Sequence, residues 1–145
     1  KNGLKVDGVV GSETLSALGL PTGVQPRSNN KDLNLLAHII HGEARGEPYI
    51  GQVAVAAVIL NRVRDSRFPT TIAGVIYQPG AFDAVSDGQI NLEPTSQSYK
   101  AARDALNGWD PTYGCIYYYN PATATSKWIW TRPIILAIGK HNFAR

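Results

Sequence analysis

The sequence predicts a mainly helical α+β domain with a small antiparallel β-sheet or hairpin beside the helical core. Between residues 32 and 107, apolar residues recur mainly at the three- and four-residue spacing of helices. From Ile116 onwards, runs of aromatic and β-branched residues replace that spacing, and such runs favour strands. With 145 residues and 43% hydrophobic content, the chain is long enough for one domain with its own core.

The first predicted helix carries a carboxylate on its apolar face. Asn30 or Asp32 can cap its start, and Gly46 and Pro48 end it. At helical spacing, Glu43 projects near the middle of the apolar stripe. The stripe consists of Leu33, Leu35, Leu36, Ala37, Ile39 and Ile40.

Two properties of this position disfavour ionisation of Glu43: the negative end of the helix dipole and the apolar walls. A carboxyl group that stays protonated near neutral pH suits a general acid for glycosidic bond cleavage. The structural alternative is a polar residue that bonds a helix end or an arginine.

The later elements follow from their own patterns. A nearly all-apolar run predicts a second, central helix, and Pro94-Thr-Ser96 and Asn107-Gly108 bound a third. Aromatic and aliphatic runs predict strands near the C-terminus. In chain order the predicted elements are a helix over 49–63, a helical turn over 71–76, a long loop over 78–93, a helix from Ser96, and strands over 116–119, 128–131 and 134–138.

Composition excludes several classes of protein. The longest apolar run, 53–60, is far shorter than the roughly 20 residues that cross a bilayer, so no membrane span is expected. The net charge of +3 comes from scattered basic residues without a block, which does not indicate nucleic acid. The single cysteine, Cys115, excludes an internal disulfide and a thiolate zinc cluster, and is expected to be buried and structural.

The motifs of the sequence give little support for a metal-dependent hydrolase or for one with a nucleophilic side chain. His38 and His41 lie three residues apart on a helix, and His141 could complete a metal site, but both helical histidines project away from the apolar stripe and are expected to be solvated. No His-Glu-x-x-His element and no Gly-x-Ser-x-Gly elbow is present.

Glycoside cleavage usually needs a second carboxylate to stabilise the oxocarbenium-like centre. Spacing does not choose among the candidates, and none is needed if a hydroxyl of the substrate captures the cation. Aromatic residues near Phe82, Tyr117–Tyr119 with Asn120, and Trp128 with Trp130 suit the flat faces of sugar rings, although aromatic residues in strands commonly belong to the core. The candidate carboxylates are Glu47, Asp83, Asp87 and Asp104.

Three segments resemble the catalytic domain of the SleB/CwlJ family of spore cortex cell wall hydrolases: Glu43–Glu47, Gly51–Arg62 and Val75–Phe82. The resemblance extends from about Leu33 to Phe143. Separately, Gly3-Leu-Lys-Val-Asp-Gly-Val-Val-Gly11 with Thr14 resembles the last third of a peptidoglycan-binding repeat. The expected organisation is therefore a remnant of a peptidoglycan-binding domain over 1–20, a linker over 21–31 and a catalytic domain over 32–145.

The resemblance implies a fold similar to goose-type lysozyme and resuscitation-promoting factors. It implies a secreted lytic transglycosylase that acts on muramic-δ-lactam-containing cortex peptidoglycan during germination and leaves 1,6-anhydromuramoyl ends. Glu43 matches the family's catalytic glutamate, which acts alone as acid and then base, without a metal or cofactor. A YpeB-type accessory protein is the implied partner.

The expected substrate contacts are polar and aromatic residues of the matching segments and of the chain from Tyr118 onwards. Two other functions stay open, namely a non-catalytic peptidoglycan-binding module and a metal-dependent amidase. The expected contacts are Gln52, Gln78, Phe82, Tyr118, Asn120, His141 and Asn142.

Overall fold

A computed structural model describes residues 28–145, with only the backbone described for Ser28 and Asn29. The predicted segment 1–20 and most of the predicted linker lie outside the described residues, so the division into domains stays a prediction. The helices are α1 (Ser28–Ala44), α2 (Tyr49–Arg64), α3 (Ile72–Ile76), α4 (Asp83–Ser86) and α5 (Ser96–Leu106); the strands are β1 (Tyr117–Tyr119), β2 (Ile134–Ile138) and β3 (His141–Ala144).

The helical predictions are confirmed, with one difference in a boundary. Helix α1 begins at Ser28, before the expected caps Asn30 and Asp32, because no proline or glycine between them prevents an earlier start. Helix α5 is capped as its sequence predicts, since the Thr95 hydroxyl accepts the backbone N–H of Ser98 at 3.2 Å.

Helix α2 is the centre of a compact unit that extends from Leu33 to Arg145. The helix is buried on nearly all sides, as its apolar run predicts, and it packs against α3, α5 and β1. Leu36, Ile39 and Ile40 of α1 are fully buried in the same core. This packing fixes the direction in which the last turn of α1 presents its side chains.

The three strands form an antiparallel sheet in the order β1-β3-β2. Strand β3 was not predicted, because His141-Asn-Phe-Ala contains neither a β-branched residue nor a long apolar run. It pairs with β2 through a tight turn in which Gly139 has a φ of +57°. A Cβ at position 139 would collide with the Glu47 carboxylate unless that side chain moved, and the positive φ of the turn also favours glycine.

The two faces of the sheet have different neighbours. Tyr118 and Phe143 pair across β1 and β3, and Phe143 packs in a cluster with Ala54 and Val58 of α2. On the other face, Trp128 contacts the ring of Tyr117 edge-on at 5.1 Å between centroids. The predicted strand over 128–131 is wrong, since this segment contains a 3₁₀-helix, Ile129–Thr131. Its backbone is not one of the three strands of the sheet, and its aromatic side chains pack over the sheet instead.

The long loop predicted over 78–93 is more structured than its Gly- and Asp-rich composition indicates. It contains α4 and a 3₁₀-helix, Gln89–Asn91. The loop lies against α1: the backbone oxygen of Ile90 is 2.7 Å from His38 Nδ1, and Arg45 donates to Gln89. The loop therefore brings α4 to the end of α1 that carries Glu43.

Candidate active site

Glu43 lies in the last turn of α1 and is half-buried. Its two carboxylate oxygens have different donors. Oε2 accepts the backbone N–H of Ala84 in α4 at 2.8 Å, and Oε1 accepts the hydroxyl of Tyr118 in β1 at 2.7 Å. Besides the apolar groups expected from the sequence, the loop and the sheet each supply a polar group to Glu43. These two bonds hold the carboxylate in one orientation.

Tyr118 lies among the rings that surround Glu43. Its ring is 6.4 Å from that of Phe82 and meets the ring of His141 edge-on at 5.0 Å. Burial raises the pKa of Tyr118 well above 10.0, and the Glu43 carboxylate raises it further. The phenol is therefore protonated at neutral pH and donates its hydrogen bond to Glu43.

A cleft of about 760 Å³ opens above Glu43. Its walls are formed by α1, α4, β1 and the segment that follows β1, where Asn120, Thr123 and Thr125 lie. The size is typical of a ligand-binding cleft. Of the expected substrate contacts, the cleft brings together with Glu43 the residues Phe82, Tyr118, Asn120 and His141.

The other three expected contacts do not line the cleft. Gln52 is 4% exposed, and its amide donates to the backbone oxygen of Glu47 and to Gln97 Oε1, so it joins helices rather than binding a ligand. Gln78 follows α3, and Asn142 projects to the opposite face of the sheet, where it donates to the Tyr119 hydroxyl. These three residues therefore lie outside the cleft, contrary to the sequence-based expectation. For Asn142 the reason is that β3 was not predicted, so the alternation of its side chains between the two faces of the sheet could not be read.

The candidates for a second carboxylate separate into two groups. Glu47 is turned away from the cleft and accepts the backbone N–H of Lys140 at 3.1 Å, while Asp104 accepts the Tyr49 hydroxyl. Asp83 and Asp87 line the cleft and are exposed, and Asp87 accepts the backbone and side-chain amides of Gln89. Glu43 is thus the half-buried carboxylate of this cleft, whereas its two acidic neighbours are solvated.

His141 links the cleft to the hairpin turn. Its Nδ1 lies 3.7 Å from Glu47 Oε1, too far for a hydrogen bond, and among residues 28–145 this nitrogen is the buried side-chain polar atom without a partner. Burial lowers the pKa of His141 below its usual 6.5, Glu47 and Glu43 oppose that shift, and Lys140 adds to it. His141 is therefore uncharged at neutral pH.

The lowered pKa of His141 predicts how the stability of the fold depends on pH. The unfolded chain takes up a proton on His141 near pH 6.5, whereas the folded protein resists it. The contribution to the free energy of unfolding is therefore fully present above that pH and is lost as the pH falls through 6.5 towards the lower folded pKa. We expect the melting temperature of the wild type to fall more steeply than that of His141→Gln between about pH 7.5 and pH 5.5. Parallel curves would contradict this account.

The described part of the chain offers little support for metal-dependent or thiol-based catalysis. Within residues 28–145, no cluster of three or more His, Cys, Asp or Glu side chains could hold a metal ion, and no helix is long and apolar enough to cross a membrane. His38 is not solvated as expected, since it is half-buried and pairs with the loop. Cys115 is fully buried, as predicted, and burial raises the pKa of its thiol.

Arg62 is the charged residue of the cleft that the sequence did not single out as a site residue. Arg62 of α2 is 9% exposed and lines the cleft beside Phe82. It is one of the polar residues that interrupt a mainly apolar helix, and a buried charge there was the available sign that this group reaches a functional surface. The segment 121–126 carries no such sign, because its small polar residues are typical of any turn.

Comparison with known proteins points to enzymes of the bacterial spore. A family model described as Cell Wall Hydrolase matches residues 46–144. The chain is 59% identical over 124 residues to a spore cortex-lytic enzyme of Bacillus cereus, an alignment that covers 86% of this chain and 48% of the relative. The chain thus spans about half the length of this curated relative.

Two solved structures are similar in both fold and sequence. The catalytic domain of the Bacillus cereus SleB protein has a TM-score of 0.77 and 58% identity, covering 86% of this chain and 94% of that one. The catalytic domain of the germination-specific lytic transglycosylase SleB from Bacillus anthracis has a TM-score of 0.77 and 57% identity, covering 87% and 100%. The expectation of a mainly helical domain with a small antiparallel sheet is confirmed by these matches.

Proposed function

Since the chain belongs to the cell wall hydrolase family, we propose that it is the catalytic part of a spore cortex-lytic enzyme that cleaves peptidoglycan as a lytic transglycosylase. The observation that carries the proposal is Glu43, a half-buried carboxylate with two hydrogen-bond donors, facing a cleft large enough for a glycan. The names of the similar proteins support cortex peptidoglycan as the substrate.

In the proposed reaction, Glu43 first acts as a general acid. Its proton passes to the glycosidic oxygen between N-acetylmuramic acid and N-acetylglucosamine, the C1–O4 bond breaks, and positive charge develops at C1. The leaving N-acetylglucosamine keeps the proton as its 4-hydroxyl. The carboxylate that remains faces the oxocarbenium-like centre and stabilises it electrostatically.

Glu43 then acts as a general base. It removes the proton of the muramoyl C6 hydroxyl, whose oxygen attacks C1 and closes the 1,6-anhydro ring. The proton returns Glu43 to its starting state, so water is not consumed. The Tyr118 hydroxyl and the Ala84 N–H hold the carboxylate in place through both transfers.

A single acid/base fits the disposition of the other carboxylates. Glu47 is engaged with the hairpin turn, and Asp87 with Gln89. Asp83 lines the cleft but is exposed to solvent. A two-carboxylate mechanism would need Asp83 or Asp87 as its second carboxylate. Because Asp87 is engaged with Gln89, substitution of Asp83 is the more informative test of such a mechanism.

The proposed setting is outside the cell, in the spore cortex, with muramic-δ-lactam-containing glycan as substrate and a YpeB-type accessory protein as partner. No cofactor is needed, because the two proton transfers use one side chain. These points rest on the resemblance of the matching segments and on the names of the similar proteins.

Digestion of purified cortex peptidoglycan tests the proposed function against its alternatives. We expect the protein to solubilise cortex and release fragments cut between sugars, with the same rate in the presence of a chelator. Binding without release of fragments would instead indicate a binding module. Release of intact peptides from uncut glycan, abolished by the chelator, would indicate a metal-dependent amidase.

A further inference from the structure

Arg62 is a buried cation whose charge no carboxylate of residues 28–145 neutralises. It is 9% exposed, and within those residues no acidic oxygen lies within ion-pair distance of it. Leaving a charge buried without a counter-ion costs free energy, so its retention needs compensation. Burial lowers the pKa of Arg62, and the phenols of Tyr118 and Tyr117 oppose that shift.

Aromatic rings supply part of the compensation. The guanidinium carbon of Arg62 lies 5.1 Å from the ring centre of Phe68, 5.5 Å from that of Phe82 and 5.7 Å from that of Tyr117. Guanidinium groups stack on rings with their planar faces and donate hydrogen bonds along their edges. The N–H groups along the edges of the Arg62 guanidinium therefore still need hydrogen-bond acceptors.

One edge is used and the other reaches the cleft. Nε donates to the backbone oxygen of Ile116 at 2.7 Å, while the terminal nitrogens of Arg62 have no protein partner within residues 28–145. These nitrogens are not sealed from solvent, because in the same part of the chain the fully buried polar atom without a partner is His141 Nδ1. Since Arg62 lines the cleft, its free N–H groups are presented to a ligand there.

The charges around the cleft indicate which ligand oxygen these N–H groups take. The carboxylates of Glu43, Asp83 and Asp87 line the same cleft, and His141 is uncharged at neutral pH. An anionic ligand would meet more negative than positive groups, whereas an uncharged acceptor would meet no such repulsion. An amide carbonyl oxygen accepts from a guanidinium without adding charge.

We propose that Arg62 is a substrate-binding residue that donates from its guanidinium edge to an uncharged acyl oxygen of the glycan, and that the acidic cleft disfavours sugars with a free carboxylate. This inference rests on the proposed function, since it places glycan in the cleft. Two groups of the substrate supply such an oxygen: the N-acetyl group, and the lactam ring of muramic-δ-lactam.

Binding to the Glu43→Gln protein tests the inference without turnover. The probes are a short oligomer of N-acetylglucosamine, a cortex fragment with muramic-δ-lactam, and a muramoyl fragment with a free lactyl carboxylate. Because the lost bond involves a charged donor, we expect Arg62→Lys to weaken binding of an uncharged probe by about 10- to 100-fold. Weakening with both uncharged probes assigns the N-acetyl group, and weakening with the lactam probe alone assigns the lactam.

Arg132→Lys is the matched control. Arg132 also stacks on Tyr117 and on Trp128, at 5.6 and 5.5 Å, but it does not line the cleft, so its substitution is expected to leave binding unchanged. Equal affinities of the Arg62→Lys and Arg132→Lys proteins for uncharged probes would overturn the inference. A larger loss with the carboxylate-bearing probe would also overturn it, since Arg62 would then be an anion site.

A second measurement avoids substitution of a buried residue. In the Glu43→Gln protein, the nitrogen-15 resonances of the Arg62 guanidinium are expected to shift when an uncharged probe is added, and unchanged resonances at saturation would overturn the inference. Failure of the proposed function gives a different pattern. The wild type would then leave cortex uncut, while Arg62→Lys would still weaken binding of the probes.

Discussion

Replacing Glu43 by glutamine is expected to lower the rate of cortex cleavage by at least about a thousandfold, because the amide can neither give nor take the proton in either step. The fold is expected to survive. Glutamine has the same shape, its amide oxygen can accept the Ala84 N–H, and its amide nitrogen can donate to the Tyr118 oxygen. The measurement is the release of soluble glycan from purified cortex, alongside a thermal unfolding curve.

Asp83→Asn is the matched control for this substitution. It makes the same carboxylate-to-amide change in the same cleft, at an exposed position that accepts no hydrogen bond from Tyr118. We expect the Asp83→Asn protein to keep activity of the same order as the wild type. Equal losses in the two variants would replace the single acid/base with a two-carboxylate mechanism.

Tyr118→Phe is expected to lower kcat by about 10- to 100-fold, the effect of one lost hydrogen bond to a charged group. The ring and its contacts with Phe82, His141 and Phe143 are retained. Only the bond to Glu43 Oε1 disappears, so the carboxylate keeps the Ala84 N–H but gains freedom to rotate. Since binding of the glycan does not depend on that freedom, KM is expected to change little.

Tyr117→Phe removes a phenol oxygen from the neighbouring residue of the same strand. Tyr117 faces the other side of the sheet, where its ring contacts Phe68 and Trp128. The Tyr117→Phe protein is therefore expected to keep the wild-type kcat. If steady-state kinetics gave Tyr118→Phe the same kcat as Tyr117→Phe, the Tyr118 hydrogen bond would have no part in catalysis.

The helical half of the fold could be predicted because its signs are local. Apolar spacing identified α1, α2 and α5, and Thr95 and Pro48 marked two of their boundaries. The third strand and the 3₁₀-helix at Ile129–Thr131 depend on tertiary contacts instead. His141–Ala144 becomes a strand because β1 and β2 pair with it on both sides, which its own composition does not indicate.

In the candidate site, too, some features have local signs in the sequence and others depend on tertiary contacts. The position of Glu43 was readable, since an acid in an apolar stripe is unusual. Phe82 lies in a segment that resembles a known family, and Tyr118 lies in a conspicuous run of aromatic residues. Which groups contact Glu43 was not readable. The Ala84 N–H lies 41 residues and the Tyr118 hydroxyl 75 residues along the chain from it, and only the packed loop and sheet bring them together.

Gln52 shows why residue type alone misassigns a site. An amide inside a family-like segment looks available to a sugar, yet its donors are used by Glu47 and Gln97 within the packed helices. Arg62 shows the opposite error. A charge in a buried helix was visible in the sequence, but its presentation to the cleft follows from the stacked rings that surround it.

Digestion of cortex peptidoglycan in water enriched in oxygen-18, followed by mass spectrometry of the new glycan ends, tests most directly whether Glu43 serves alone as acid and base. If the muramoyl C6 hydroxyl attacks C1, the new ends are 1,6-anhydromuramoyl residues without oxygen-18. If a water molecule attacks instead, each new muramoyl end is a reducing sugar that carries one oxygen-18 atom. The single-glutamate mechanism predicts the unlabelled anhydro ends, and labelled reducing ends would contradict it.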